Sequence, residues 1–258
     1  MTVALVTGAA KRLGRHMALY LAERGRDVAI HYAGSQEDAE RTAADARALG
    51  VRAQLFQADL LDPDATAALV PQVAQAMGQL GVLVNNASVF DYDNIHSATM
   101  QDWDRNIGSN LRAPFQLIQA FAAQAPKAQP DENGEPQAQA LVVNMVDQRV
   151  LKPTPEFMTY SLAKAGLWAL TRTAAQALAP DIRVNAIGPG PTLIGARQSQ
   201  AHFDAQRAGT VLKRGSDPAG ITQALGYFLD ARAVTGQLIC VDGGQHLAWQ
   251  TPDIIGRD

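Results

Sequence analysis

Cysteine is nearly missing from this chain: Cys240 stands alone among 258 residues, so neither an intrachain disulfide nor a cysteine metal cluster can form. Histidine is sparse too, and His16, His31, His96, His202 and His246 are scattered without the spacing of metal ligands. Charge of either sign is in short supply, 22 basic against 25 acidic residues, and the net charge of -3 argues against nucleic acid or a membrane surface as a partner. No apolar stretch is long enough to span a bilayer, and Met1 to Val6 enters a strand pattern directly instead of forming a leader. The expected setting is a reducing cytoplasm.

What the chain has in quantity is apolar residues, 47% of the total, enough to bury a full core at a length normal for one α/β domain over 1–258. Short β-like runs alternate with helical ones: Val3 to Thr7, Leu13 to Arg24, Val28 to His31, Gln36 to Leu49, Ala53 to Gln57, Pro63 to Met77 and Val82 to Asn85. The rhythm repeats with a helix from Gln101 to Ala125, a strand Leu141 to Val146, a helix Glu156 to Leu178, a strand Arg183 to Ile187, a helix Pro218 to Leu229 and a strand Gln237 to Val241. Alternation of this kind predicts parallel strands joined by right-handed helical crossovers. The punctuation agrees: Ser35 with Asp38 and Thr99 with Asp102 resemble capping boxes, Asp62-Pro63 and Asp217-Pro218 open helices, and Pro114 should bend the helix that contains it. Pro126 to Gln139 reads as a surface loop, and Gly188 to Gly215 as a long, poorly patterned loop of the kind that covers ligands at the ends of parallel strands.

Ligands of an open parallel sheet bind beyond the carboxyl ends of its strands. The first such end, Thr7 to Gly14, puts glycines between an apolar run and a helix start, so unpaired backbone N–H groups can face a diphosphate. The spelling departs from G-x-G-x-x-G, and taken alone it also fits an ordinary strand-to-helix junction. Farther on, Tyr160 and Lys164 stand four apart on one helical face. A free phenol titrates near pH 10; bringing it near neutrality requires about 4 kcal/mol, which a cation about 4 Å away supplies at an effective dielectric near 20. Lys164 is the expected source. Alone, the pair also fits a solvated tyrosine beside a lysine.

Taken together, Thr7-Gly8 and Gly14, Asp59-Leu60, Asn85-Asn86-Ala87, Asn110, Tyr160 with Lys164, Gly188-Pro189-Gly190 and Val241-Asp242-Gly243-Gly244 resemble the short-chain dehydrogenase/reductase family over nearly the whole chain. The resemblance implies a Rossmann-type, doubly wound parallel sheet in a single domain, with a substrate loop at about 188–215 after the sixth strand. It also implies a nicotinamide cofactor, Tyr160 as acid/base, Lys164 holding ribose and lowering the tyrosine pKa, Asn110 supporting a relay water, and a homotetramer packed partly through Leu167, Leu170 and Ala174. Cofactor contacts are expected from Gly8, Lys11, Arg12, Leu13, Gly14, His31, Tyr32, Ser35, Asp59, Leu60, Asn86, Ala87, Ser88, Lys164, Pro189 and Gly190. His31-Tyr32-Ala33-Gly34-Ser35 carries no acid to meet a ribose 2′-hydroxyl, and Arg12 offers a fork for a 2′-phosphate, so NADPH is favoured over NADH.

Two departures narrow the resemblance. Asp147 stands where most of the family has serine, and Arg12 where most has glycine; with His31-Tyr32, Ser88 and Phe90 these look like the pteridine reductase and dihydromonapterin reductase branch, although the further arginine usual near Gly34 is absent. A carboxylate cannot donate to a developing alkoxide, yet it can accept from a ring N–H or pass a proton to nitrogen, which suits a C=N bond. Asp147 also fits a loop cap, and Phe90 a packing residue. The expected substrate is a pterin or dihydrofolate-like ring contacting Ser88, Phe90, Asp147 and Tyr160. The alternatives are a general carbonyl or 3-oxoacyl reductase and a non-catalytic NADPH-binding sensor.

Overall fold

A computed structural model describes residues 2–195 and 198–251. Seven parallel strands form one sheet: β1 (Val3–Val6), β2 (Val28–Tyr32), β3 (Ala53–Gln57), β4 (Leu80–Asn85), β7 (Ala140–Met145), β8 (Ile182–Pro189) and β9 (Leu238–Val241), in the order β3-β2-β1-β4-β7-β8-β9. The order reverses between β1 and β4, which pair from Ala4↔Val82 to Val6↔Val84, and that reversal opens the crevice where open α/β sheets bind ligands. Strands β1, β4 and β7 are buried throughout, which explains why they read as unbroken apolar runs.

Helices α1 (Arg12–Glu23), α2 (Gln36–Ala48) and α8 (Pro218–Asp230) cover one face, where Met17, Leu21, Ile221 and Phe228 pack on Val6, Ile30 and Val84. On the other face α3 (Pro63–Met77), α5 (Ala113–Gln124) and α6 (Met158–Leu178) pack Leu69, Leu117 and Phe121 on Leu5, Leu83 and Val142. The expected doubly wound α/β domain is present. Among the described residues no helix is long and apolar enough to cross a membrane.

Several local expectations need correction. Ser35 does not cap α2 with its side chain; Asp38 faces Arg41 and Lys11 instead, so that capping box is absent. The capping box of Thr99 and Asp102 does form at α4 (Met100–Ile107). The helix read as continuous from Gln101 to Ala125 is interrupted by a π-turn at Gly108–Arg112, where the Ala113 N–H reaches back five residues to the Gly108 carbonyl. Pro114 has no N–H for the carbonyl four residues earlier, that of Asn110, so the break falls before the proline and not at it. The loop Pro126 to Gln139 contains a small antiparallel ribbon, β5 (Gln129–Pro130) with β6 (Pro136–Gln137), turning at Gly134. The long loop after β8 holds a further helix, α7 (Gln200–Ala208), capped by Ser199; residues 196 and 197 of that loop lie outside the described ones.

Candidate active site

The turn after β1 is built for close approach. Gly8 has φ of +62°, and Gly14 lies so near the Gly8 carbonyl that an added Cβ would fall 2.1 Å from that oxygen. The Asn86 side chain ties the turn to the end of β4, donating to the carbonyls of Thr7 at 2.8 Å and Gly8 at 3.2 Å, while the Thr7 hydroxyl accepts from the N–H groups of Asn86 and Ala87, each at 2.9 Å. Lys11 precedes α1 without a side-chain cap, so the first N–H groups of that helix remain available to an anion. Gly190 closes the opposite wall, where a Cβ would meet the Asp242 Cα at 2.6 Å. This cradle, with Leu13 partly buried behind it, fits a dinucleotide.

Two expected phosphate ligands have other tasks. His31 is buried: its Nδ1 accepts from the Gly8 N–H at 3.0 Å, so Nε2 carries the proton and donates to the Ala58 carbonyl at 3.1 Å. With both nitrogens engaged it braces the turn and cannot reach a ligand, which corrects the expectation that it assists a 2′-phosphate. Arg12 has φ of +54°, a conformation that favours glycine, and its guanidinium donates to the carbonyls of Ile194 at 2.9 Å and Leu193 at 3.2 Å. It ties the nucleotide turn to the loop after β8 in place of forming the expected phosphate fork. Tyr32 is buried in the core. Lys11, exposed before α1 and 4.0 Å from Asp38, and the partly exposed Ser35 after β2 remain accessible, whereas Asp59 caps its own turn, accepting from the Leu61 N–H at 2.9 Å, with Leu60 buried beneath.

The His31 brace makes stability depend on pH. Burial pushes its pKa down to about 4, against about 6.5 in the unfolded chain. Between those values the unfolded state binds more protons, so the contribution is complete above about pH 6.5 and is lost as pH falls through about 4. The difference amounts to about 3 kcal/mol. Denaturant unfolding of the wild type and of His31→Asn should therefore show a stability gap that is wide at pH 7.5 and much narrower at pH 4.5; a gap independent of pH would contradict the assignment.

At the ends of β4 and β7, the expected catalytic groups converge. The Tyr160 hydroxyl donates to Asp147 Oδ2 at 3.0 Å, and Lys164 on the same face of α6 donates to the Met145 carbonyl at 2.7 Å. Asp147 is also the loop cap that its position suggested: Oδ1 accepts from the Arg149 N–H at 2.9 Å in the short turn Gln148–Val150. Asn110, fully buried in the π-turn, accepts from the Ser88 hydroxyl at 2.7 Å through Oδ1 and donates to the Val89 carbonyl at 3.1 Å.

The electrostatics differ from the expectation. Lys164 Nζ lies 5.6 Å from the centre of the Tyr160 ring and is committed to a backbone carbonyl; burial pushes its own pKa down to about 8, with Asp147 opposing. The Tyr160 hydroxyl is pushed well above the ordinary phenol value by burial first and then by Asp147, while Arg149 pulls it back. In the free protein the phenol therefore donates to the Asp147 carboxylate, while the Lys164 ammonium donates to a backbone carbonyl and not to the phenol.

Sequence spacing alone misses three further residues. Phe157 has φ of +57° at the start of α6 and stacks on Phe90 with ring centres 4.3 Å apart; Phe90 meets the Tyr160 ring edge-on at 4.7 Å. Asp93, buried in the loop after β4, takes the place of the missing cap: it accepts from the Thr159 N–H at 3.2 Å and from the Thr159 hydroxyl, and its carbonyl accepts from the Phe157 N–H at 2.8 Å. Helix α6 is thus anchored by a residue 66 positions away. Arg149 is the third, beside Asp147 and over both phenylalanine rings. An Asp-x-Arg run after a strand carries no motif that would have marked it.

The comparisons agree with this geometry. The family profile described as enoyl-(acyl carrier protein) reductase matches residues 8–246. The 3-oxoacyl-(acyl-carrier-protein) reductase FabG of Staphylococcus aureus strain Mu50 is 33% identical over 251 residues, covering 95% of this chain and 98% of that protein. Among solved structures, the FolM alternative dihydrofolate reductase 1 of Brucella suis in complex with NADP is 42% identical, with a TM-score of 0.90 over 98% of each chain. A short-chain dehydrogenase of Burkholderia cenocepacia in complex with NADP is 32% identical, with a TM-score of 0.85 over 95% of this chain and 97% of the other. A glycine turn on a parallel switch point, a tyrosine and lysine one helical turn apart, and likeness along almost the entire length place this chain in the short-chain dehydrogenase/reductase family.

Proposed function

We propose that the protein is an NADPH-dependent reductase that adds hydride to a C=N bond of a dihydrofolate or pterin ring. The observation that carries this reading is the hydrogen bond from Tyr160 to the Asp147 carboxylate, in a chain 42% identical to a protein described as a dihydrofolate reductase. The reduced nicotinamide, when bound, supplies the hydride. The turn from Gly8 to Gly14 and the start of α1 would hold the diphosphate, and Asp59, Leu60, Asn86, Ala87, Pro189 and Gly190 would hold the rest of the dinucleotide. Lys11 and Ser35 are the groups left to meet a 2′-phosphate.

Ketone reduction builds charge on oxygen, which calls for donors around it. A ring nitrogen instead gains a proton and ends as a neutral N–H, so an acceptor beside the proton donor is no obstacle. Tyr160 gives its proton to the ring nitrogen, Asp147 holds the hydroxyl in place and accepts from ring N–H groups, and Lys164 would hold the cofactor's ribose. Asn110, whose Oδ1 accepts from the Ser88 hydroxyl at 2.7 Å, supports the relay water through which the replacement proton returns to Tyr160. The half-exposed Phe90 ring, braced by Phe157, offers a flat wall for the heterocycle.

The enzyme acts in the cytoplasm as a homotetramer. Leu167 and Ala174 turn inward to the core, so the apolar surface of α5 and α6 left for a partner is that of Phe115 and Leu162. The second reading, reduction of a 3-oxoacyl thioester, is favoured by the 33% identity to FabG. NADPH oxidation followed with 7,8-dihydrofolate, dihydrobiopterin, dihydromonapterin, a panel of ketones and a 3-oxoacyl thioester separates these. Turnover of the pteridines well above that of the ketones and the thioester is the expected result; turnover confined to ketones or the thioester would transfer the assignment to the second reading, and tight NADPH binding without turnover would make the protein a sensor.

A further inference from the structure

Arg149 sits two residues beyond Asp147, and its position is too specific for a solvated side chain. Its backbone N–H holds Asp147 Oδ1 at 2.9 Å, and its guanidinium lies 3.4 Å from Oδ2, the same oxygen that accepts from Tyr160 at 3.0 Å. The side chain is 20% exposed, its Nε is buried without a hydrogen-bond partner, and its charged centre lies 5.6 and 5.1 Å from the ring centres of Phe90 and Phe157. Among the described residues, Asp147 is its ion-pair partner.

We propose that Arg149 is a positioning residue of the proton path, which fixes the Asp147 carboxylate from two points and offsets its charge so that the neighbouring Tyr160 can release its proton. This rests on Tyr160 being the proton donor, and so on the catalytic part of the reading above. A bare carboxylate beside a phenol opposes its ionisation, and a cation on the far side of that carboxylate opposes the carboxylate. The groups facing this cluster are the Lys164 ammonium from α6 itself and, behind Asp147, the Cys240 thiol of β9, which burial and the two carboxylates keep neutral, with Asp242 just beyond it. Lys164 acts on Asp147 through space while its hydrogen bond goes to the Met145 carbonyl, whereas the Arg149 guanidinium touches the shared oxygen itself.

Arg149→Met keeps an apolar stem against the two rings and removes the charge, whereas Arg149→Lys keeps the charge. With Arg149→Met, kcat at pH 7 should fall about tenfold and the alkaline limb of the kcat profile should move up by about one pH unit, because a weaker acid donates less readily and is lost later. The Kd for NADPH and the melting temperature should stay near wild type, and Arg149→Lys should recover most of the rate. In an Asp147→Asn background, Arg149→Met should change kcat less than about twofold, since no carboxylate is left to offset. The same tenfold loss in that background, or a loss at every pH with the limb unmoved, would overturn the proposal. Arg149→Gln gives the same reading should Arg149→Met not fold. Profiles are taken on 7,8-dihydrobiopterin and on a ketone in parallel, because the phenol donates in either reaction. A wild type active only on the ketone would sink the pteridine assignment while leaving Arg149 testable.

Discussion

Gly14→Ala should abolish useful NADPH binding, weakening it by about 100-fold while costing about 1–3 kcal/mol of stability. A methyl group at this position would lie 2.1 Å from the Gly8 carbonyl oxygen, 2.8 Å from its carbon and 2.6 Å from Asn86 Nδ2. Two of those atoms are backbone, so no rotamer change relieves the overlap, and overpacking of this sort costs about 1–3 kcal/mol. The turn cannot yield without moving the two Asn86 hydrogen bonds to Thr7 and Gly8 and the His31 brace on the Gly8 N–H. Losing two charge-assisted contacts from displaced N–H groups to a diphosphate, at about 1.5 kcal/mol each, gives the stated factor. Fluorescence titration with NADPH reads the affinity and thermal melting reads the stability; an unchanged Kd would show that the diphosphate binds elsewhere.

How much of this could be read from residues alone depended on whether the signal was local. Helix α3 was legible to the residue because Asp62 caps it, Pro63 opens it and Gly78 ends it. Strand β3 was equally plain. Helix α7 was not, because it buries no residue and so carries no apolar stripe. In the site, Tyr160, Lys164 and Asp147 follow one helix and one strand end and could be placed by counting. Asp93 and Phe157 could not, since the contact that joins their segments spans 66 positions.

Side-chain direction was the other blind spot. His31 and Arg12 have the residue types of phosphate ligands at the positions where such ligands occur, yet one is folded under the turn and the other reaches across to carbonyls 182 and 181 positions away. Electrostatic sign also escaped counting. Spacing put an ammonium beside the phenol, whereas the hydrogen bond that forms in the free protein goes to the carboxylate.

Asp147→Ser should cost pteridine reduction about 100-fold or more while leaving NADPH affinity within about twofold of wild type. Asp147 touches the Tyr160 hydroxyl and caps the Gln148–Val150 turn, and its side-chain hydrogen bonds go to Tyr160 and Arg149, not to the glycine cradle proposed for the diphosphate. Serine is shorter and can both donate and accept, so it frees the Tyr160 hydroxyl from an anion and supplies a donor for a developing alkoxide. Loss of a positioned acid/base partner costs typically 10²–10⁴-fold, which sets the scale for the pteridine. For a ketone the same change removes a repulsive charge from the oxyanion side, so that activity should hold or rise.

The decisive quantity is the ratio of kcat/KM for 7,8-dihydrofolate to kcat/KM for a ketone, measured with NADPH on the wild type and on Asp147→Ser. A ratio that collapses by about 100-fold in the variant is the predicted result, since the carboxylate then serves nitrogen in preference to oxygen. A ratio that stays the same, with both activities falling together or neither changing, would contradict it.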